Sequence, residues 1–178
     1  MIYLVGGVFR SGKSSFSYHL LENHKVPYLS TDVIRCVLQK QAPQLGIQGD
    51  GSIQQKSEIF YPYLENLVYM QDCLKKDYCI EGEVISPKAV SDIASIYPVR
   101  ACFFGCKQSS AEILKSRKGI NDWISECDDD KISQLAETQM TESAWLESEC
   151  KKYDLPYIEL NSTSSEELES VFQKYLVQ

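Results

Sequence analysis

The stretch Gly6-Gly7-Val8-Phe9-Arg10-Ser11-Gly12-Lys13-Ser14-Ser15 contains the pattern GxxxxGK[ST], which begins at Gly7. The apolar run before it, residues 3–5, predicts a short β-strand, and residues 13–24 predict an amphipathic helix. A glycine-rich turn alone requires no such surroundings, whereas a phosphate-binding loop requires a strand before it and a helix after it. The sequence therefore predicts a phosphate-binding loop at residues 7–14.

The residues of this loop have distinct expected roles. Glycine allows the backbone to turn sharply, so that successive N–H groups and the start of the helix face a phosphate group. Lys13 is expected to reach the β- and γ-phosphates, and the Ser14 hydroxyl is expected to bind Mg²⁺. We therefore expect ATP and Mg²⁺ as cofactors. The predicted nucleotide-binding residues of the loop are Gly7, Arg10, Ser11, Gly12, Lys13, Ser14 and Ser15.

Strand-like and helix-like segments alternate along the rest of the chain. Further strands are predicted at 26–30, 78–80, 99–105 and 157–160, and further helices at 32–41, 57–76, 131–152 and from 164 onward. Residues 43–55 contain three glycines and few apolar residues, so they predict a mobile loop. This alternation predicts an α/β protein: a three-layer α/β/α P-loop NTPase sandwich with a five-stranded parallel sheet. We expect one domain over residues 1–178.

Composition limits the function classes. The net charge of −7 and the pI near 4.9 argue against a nucleic-acid partner, because no positive field would attract a polyanion. No apolar run is long enough to span a membrane, and the first residues predict a strand, not a signal peptide. The seven cysteines have scattered spacing and only His19 and His24 accompany them, so we expect reduced cytoplasmic thiols and no zinc site.

A carboxylate and an arginine follow the second predicted strand. Asp32 and Arg35 lie one helical turn apart, and ligands of open α/β sheets gather at the carboxyl ends of the strands. A carboxylate there can orient or deprotonate an acceptor hydroxyl, and a guanidinium can bind an anionic group. The alternative is that Asp32 only caps its helix and Arg35 is a solvated surface charge. The neighbouring phosphate loop favours the functional interpretation.

The phosphate loop together with Ser30-Thr31-Asp32-Val33-Ile34-Arg35 resembles the P-loop kinases of the adenylate-kinase-like superfamily. In residues 1–90 the chain is most similar to 2-phosphoglycerate kinase, which also has a segment like Ile80-Glu81-Gly82-Glu83-Val84-Ile85-Ser86-Pro87. That family usually has histidine where this chain has Val84. The spacing of Asp32 and Arg35 is also similar to that of polynucleotide 5′-kinase, where the acid is the base and the arginine binds a phosphate.

The resemblance implies further site residues. Glu81, or Glu83 in its place, would contact Mg²⁺, and Gly82 would line the acceptor site beside Asp32 and Arg35. A helical lid would occupy about residues 107–130, with Arg117 as the arginine that swings onto the transferred phosphoryl group. The alternatives are an exposed acidic turn and a solvated basic helix end.

The loop after the fifth predicted strand completes the expected nucleotide site. Asn161 and Thr163 would lie where related kinases pass their backbone over the adenine. The same residues are also expected to form the turn that leads into the last helix, which begins with a capping-box pattern at Ser164 and Glu167. The two interpretations are compatible.

Together these features predict an ATP-dependent kinase that acts on a hydroxyl of a small, anionic metabolite or nucleotide. Lys13, Asp32 and Arg117 would be its catalytic residues. The alternatives are a polynucleotide or nucleotide-sugar kinase of the toxin type, and a nucleotide-binding regulator that hydrolyses slowly. We expect a monomer or homodimer whose partner is a small-molecule acceptor, with no membrane attachment.

Overall fold

The computed structural model of the chain describes residues 1–47, 49–116 and 123–177. Its centre is a five-stranded sheet in which every strand pair is parallel and the spatial order is β2-β3-β1-β4-β5. The strands are β1 (Ile2–Gly7), β2 (Tyr28–Ser30), β3 (Tyr78–Glu81), β4 (Val99–Gly105) and β5 (Tyr157–Glu159). The helices among the described residues are α1 (Lys13–His24), α2 (Thr31–Gln41), α3 (Ile53–Leu74), α4 (Pro87–Ala94), α5 (Ala111–Ser116), α6 (Asp129–Lys152) and α7 (Ser165–Tyr175).

The central strand β1 is buried on both faces, and its side chains alternate between two hydrophobic cores. Ile2 and Leu4 pack with residues of α3, α4 and α6 on one face. Tyr3 and Val5 pack with residues of α1 and α7 on the other. This period-two alternation explains why the strand is almost wholly apolar. The predicted three-layer α/β sandwich with a five-stranded parallel sheet is confirmed.

Strand register brings the candidate site residues to one edge of the sheet. Val5 of β1 pairs with Glu81 of β3, and Glu81 pairs with Ser30 of β2. The residues that follow these three positions are therefore neighbours in space, although up to about 76 positions, from Val5 to Glu81, separate them along the chain. The phosphate loop, the start of α2 and the turn after β3 meet at this edge.

The structure differs from the sequence prediction at the start of α3 and within the predicted loop that precedes it. The long helix α3 begins at Ile53, four residues before the predicted start at residue 57. The cause is a capping box, in which Ser52 accepts from the Gln55 N–H and Gln55 accepts from the Ser52 N–H. Within the predicted glycine-rich loop, Pro43–Leu45 forms a short 3₁₀ turn. The remaining predicted helices and strands have the observed type, with ends shifted by at most two residues.

A third, smaller core lies beside the sheet. Leu114 of α5 packs against Ile132 and Ala136 of α6, with Phe9 of the phosphate loop at its margin. This core lies within and next to the predicted lid segment, residues 107–130, of which residues 117–122 are outside the described part of the chain. None of the described helices has the length and apolar character that crossing a membrane requires.

Candidate active site

The phosphate loop connects β1 to α1 in a conformation that needs glycine at two positions. Gly7 has φ of 141°, and a Cβ on it would lie 2.2 Å from the Phe104 carbonyl oxygen of β4. Gly12, which precedes α1, has φ of 102°, and a Cβ there would lie 2.6 Å from Cδ1 of Leu160. The positive φ therefore disfavours a side chain at both positions, and at Gly7 the main chain of Phe104 also leaves no space for one.

Polar side chains of the loop converge on one of its own carbonyl groups. The Ser11 hydroxyl and the Lys13 ammonium each donate to the Val8 carbonyl oxygen, at 2.7 Å in both cases. Lys13 is buried, so this contact keeps its charged group hydrogen-bonded inside the loop. Ser14 and Ser15 are exposed in the first turn of α1, where helix N–H groups have no helical partner.

Helices α5 and α6, which no local sequence pattern links to the phosphate loop, hold the outer part of this loop. Arg10 has φ of 51°, and its Nη1 donates to the Leu114 carbonyl oxygen of α5 at 3.2 Å. Gln139 of α6, which is fully buried, donates from Nε2 to the Phe9 carbonyl oxygen at 2.6 Å. The loop is therefore fixed from α1, α5 and α6 together.

The turn after β3 fits closely against the start of α2. Gly82 has φ of 154°, and a Cβ on it would lie 1.9 Å from Oγ1 of Thr31 and 3.5 Å from Oδ1 of Asp32. The Gly82 N–H donates to the Val5 carbonyl oxygen at 3.0 Å. Only glycine fits here, because any side chain would overlap Thr31. The structure thus brings Gly82 and Asp32 together beside the phosphate loop.

Four polar side-chain atoms at this edge are buried and have no hydrogen-bond partner within the described structure. They are Oγ1 of Thr31, Oδ1 of Asp32, Nε of Arg35 and Oε2 of Glu81. Buried polar atoms in native proteins are nearly always paired, so a cluster of unpaired ones next to a phosphate loop is the feature expected of a ligand site. The set offers three oxygen atoms and one guanidinium nitrogen.

The electrostatic environment of Glu81 fits a magnesium ligand. Burial raises the pKa of this carboxyl, the Lys13 ammonium and the Ser30 and Ser14 hydroxyls act in the opposite direction, and the nearby Asp32 charge raises it further. A buried carboxylate that keeps a free oxygen favours an added cation. Ser14 and Glu81 together offer the oxygen ligands that Mg²⁺ prefers.

Glu83, the alternative magnesium residue, has a different partner. Its Oε1 lies 2.8 Å from Nζ of Lys56 on α3, and the exposed fractions of the two side chains are 17% and 8%. Next to this pair, the hydroxyl of Ser57 donates to that of Ser86 at 2.7 Å, and Ser86 caps α4 by accepting from the Ala89 N–H. The geometry favours Glu81 over Glu83 as the metal residue, because Glu83 is already neutralised.

The loop after β5 lies beside the phosphate loop, with Cγ2 of Thr163 3.7 Å from the Cβ position of Gly12. Its shape depends on Glu167, whose carboxylate accepts from the N–H groups of Asn161 and Ser162 at 2.9 and 2.8 Å. The predicted capping box of α7 is therefore only half formed. Ser164 accepts from the Glu167 N–H, but the Glu167 side chain binds the preceding loop, where two amides and a hydroxyl are available.

Some site residues have no local sequence signal, and one predicted site residue belongs to a part of the chain that the structure does not describe. Arg117, the predicted lid arginine, belongs to residues 117–122, which the structure does not describe. Lys56 and Gln139 were not predicted, because neither belongs to a local motif. Thr31 could have been found, since it directly precedes Asp32 at the end of a strand.

No protein-family model matches the sequence, and no curated protein has a sequence that matches it. Solved structures are similar over nearly the whole chain. The shikimate kinase of Acinetobacter baumannii, solved with shikimate, has 13% identity and a TM-score of 0.58, covering 97% of this chain and 90% of its own. A sugar kinase of Janibacter sp. HTCC2649 has 17% identity and a TM-score of 0.51, covering 97% and 92%.

A further similar structure is the shikimate kinase of Aquifex aeolicus, with 16% identity and a TM-score of 0.53. It covers 97% of this chain and 94% of its own. At such identities the likeness establishes the fold, and this chain has the fold of P-loop kinases. The closer resemblance to 2-phosphoglycerate kinase stays a prediction.

Proposed function

We propose that this protein is an ATP-dependent phosphotransferase that acts on a hydroxyl group of a small, anionic acceptor. The observation that carries the proposal is the cluster of unpaired buried polar atoms beside the phosphate loop, on Thr31, Asp32, Arg35 and Glu81. A structural helix start would pair its own polar atoms or expose them to water. These atoms instead provide both signs of charge at the edge where α/β proteins bind their ligands.

Each residue has a role that its chemistry supports. The phosphate-loop amides and Lys13 hold the β- and γ-phosphates, and Ser14 and Glu81 hold the metal. Bound Mg²⁺ supplies charge neutralisation at the phosphate oxygens. Asp32 orients the acceptor hydroxyl and accepts its proton, which general-base residues can convert into a rate gain of roughly 10²–10⁴-fold.

Arg35 binds the anionic group of the acceptor. Its Nε is buried without a partner, and Nη1 lies 3.2 Å from the Cβ position of Gly49, so the loop before α3 covers the guanidinium. A covered guanidinium with a free N–H favours a planar carboxylate or a phosphate, which can accept two parallel hydrogen bonds. A small acceptor fits the acidic chain better than a polynucleotide does.

Two further roles complete the proposal. Arg117 serves as the lid arginine that neutralises charge on the transferred phosphoryl group. Asn161 and Thr163 contact the base, and the Glu167 hydrogen bonds support this role because they fix the loop in advance.

The test combines a screen with one isosteric variant. ADP release from ATP or GTP with Mg²⁺ is measured over small hydroxylated carboxylates, phosphorylated metabolites, sugars and nucleosides. With the best acceptor, Asp32→Asn is expected to lower kcat by roughly 10²–10⁴-fold and to leave the Kd for ATP within about threefold. Asp92→Asn, whose side chain is 44% exposed on the outer face of α4, is the matched control and should retain full activity.

The alternatives give different results. A polynucleotide kinase would phosphorylate 5′-hydroxyl oligonucleotides better than any small acceptor. A slow regulator would bind ATP but show turnover that responds neither to added acceptors nor to Asp32→Asn. Either result would refute the proposed acceptor chemistry, while failure to bind any purine triphosphate would refute the phosphate loop itself.

A further inference from the structure

Both histidines of the chain converge on one carboxylate, away from the phosphate loop. Nε2 of His19 lies 2.8 Å, and Nε2 of His24 2.7 Å, from Oε2 of Glu169. The two histidines belong to α1 and Glu169 belongs to α7, about 150 positions later. His19 is 5% exposed and His24 is 25% exposed, so the cluster lies at the rim of a core and one side of it is open.

The three side chains have the composition and spacing of a transition-metal site. All their ligand atoms lie within 4.8 Å of one another. A tetrahedral zinc ion with ligand bonds near 2.0–2.1 Å needs ligand atoms about 3.3 Å apart, so shifts of up to about 0.8 Å per side chain would suffice. Two imidazoles and one carboxylate are ligands that Zn²⁺ accepts, and three protein ligands leave a fourth position for water.

Neighbouring side chains hold the three groups in place. Nδ1 of His19 contacts Nδ2 of Asn23 at 3.1 Å, Oε1 of Glu169 accepts from Gln173 at 2.8 Å, and the His24 ring stands 4.2 Å from that of Phe172. Metal-binding histidines usually have such a partner on the second ring nitrogen. Rotation of the Asn23 amide would let its oxygen accept from Nδ1–H, at the cost of its bond to the His19 carbonyl.

We propose that His19, His24 and Glu169 form a binding site for a divalent transition metal of the zinc class. The site is separate from the magnesium position, because His19 and His24 lie six and eleven residues beyond Lys13 on α1, about 9 and 17 Å along the helix axis. The proposal runs against the expectation, drawn from the cysteine spacing and the histidine count, that the chain has no zinc site. The bound ion links α1, whose first residues belong to the phosphate loop, to α7.

The test titrates the full-length chain with ZnCl₂ by calorimetry, in excess Mg²⁺ and a reductant that does not bind zinc. One ion per chain is expected. His24→Gln and Glu169→Gln should each weaken binding by at least about 100-fold, above the effect of losing an outer-shell partner. Zn²⁺ should raise the Tm of the wild type but not that of either variant. Because both side chains are partly exposed, the variants should retain the wild-type circular dichroism spectrum.

Exposed thiols are the main competitor for zinc. The double variant Cys36→Ser/Cys73→Ser removes the two exposed cysteines and should bind zinc as the wild type does. Co²⁺ added to this variant should give weak visible bands and no thiolate charge-transfer band. The proposal is overturned if no stoichiometric zinc binds, or if binding survives in His24→Gln and Glu169→Gln but disappears with the cysteines.

Discussion

The side-chain amide of Gln139 donates a 2.6 Å hydrogen bond to the main-chain carbonyl oxygen of Phe9, at the outer turn of the phosphate loop. Gln139 is fully buried on α6, and its own Oε1 has no hydrogen-bond partner in the described structure. This residue therefore contributes one bond to the loop while carrying an unsatisfied acceptor. A buried acceptor without a partner lowers the free energy of unfolding. We therefore infer that the Gln139 side chain serves to fix the conformation of the phosphate loop.

Replacing Gln139 by Leu separates these two effects. The change removes the bond to Phe9 but also removes the unpaired oxygen, so we expect the Tm to stay within a few degrees of the wild type. Because the loop loses a fixed point, we expect the Kd for ATP to rise about 3- to 10-fold, which calorimetry can measure. Gln134→Leu, an exposed position on the same helix, is the matched control and should leave ATP affinity unchanged.

Much of the fold could be predicted from the sequence because its signals are local. Helix α1 and strand β4 have the predicted ends, since Gly12 marks the start of α1 and the continuous apolar run of β4 ends at Gly105. The start of α3 was missed because its capping box, Ser52 to Gln55, lies in a polar stretch that has few apolar residues. Residues 43–55 were all predicted to form one loop because of their glycines and low apolar content, yet the last three of them begin α3.

The candidate site was predictable only where its residues are close in sequence. Asp32 and Arg35 are one helical turn apart, so a single segment contains the signal. Gln139 lies 130 positions from Phe9, and Glu169 lies 145 or more from the two histidines. Such contacts depend on how whole helices pack against the sheet, and a single sequence contains no direct signal of that packing.

Gly82 is expected to tolerate no side chain. In Gly82→Ala the new Cβ would overlap Oγ1 of Thr31, and the φ of 154° would also strain an alanine. We expect a loss of about 1–3 kcal/mol in the free energy of unfolding, measured with urea. Thr31→Ala in the same chain should recover part of this loss, because it removes the overlapping oxygen but leaves the backbone strain.

Gly46 provides the control for this prediction. It also has a positive φ, 67°, but a Cβ there would have nothing within 4 Å. Gly46→Ala should therefore lower the free energy of unfolding by only about 1 kcal/mol, the strain of a positive φ on alanine. Thr31→Ala should not change that loss. If Gly82→Ala and Gly46→Ala respond equally to Thr31→Ala, the close approach of Gly82 to Thr31 is not what requires glycine.

Glu142 should make stability depend on pH. Burial raises the pKa of its carboxyl above 4.5, the Ile53 N–H and the Lys56 charge act in the opposite direction, and the Glu83 charge adds to the increase. The folded chain therefore holds this proton more tightly than the unfolded chain does. The contribution of Glu142 to stability is then fully present below pH 4.5 and is lost as the pH rises through the folded-state pKa.

The measurement compares urea unfolding of the wild type and Glu142→Gln between pH 4 and 7. Since one proton is involved, the difference between the two free energies should change with pH by at most about 1.4 kcal/mol per unit, in favour of the variant as pH rises. Two profiles that run parallel over this range would contradict the assigned direction.

The pair formed by Lys56 and Glu83 should be strongly coupled, because both side chains are largely buried and their charged atoms lie 2.8 Å apart. Lys56→Met leaves the Glu83 carboxylate without its counter-ion, and we expect it to lower the free energy of unfolding by about 3–5 kcal/mol. The double variant Lys56→Met/Glu83→Gln should recover much of this loss, since a neutral amide is far cheaper to bury than a charge.

Lys88 supplies the comparison, since its ammonium also contacts a carboxylate, that of Asp92, but the two side chains are 62% and 44% exposed. Lys88→Met should cost far less than Lys56→Met, because water already solvates that pair. Urea unfolding of all the variants at pH 7 gives the coupling energy directly. If Lys56→Met costs no more than Lys88→Met, then Glu83 finds another partner or water when Lys56 is removed. In that case the ion pair does not hold the turn after Gly82 against α3.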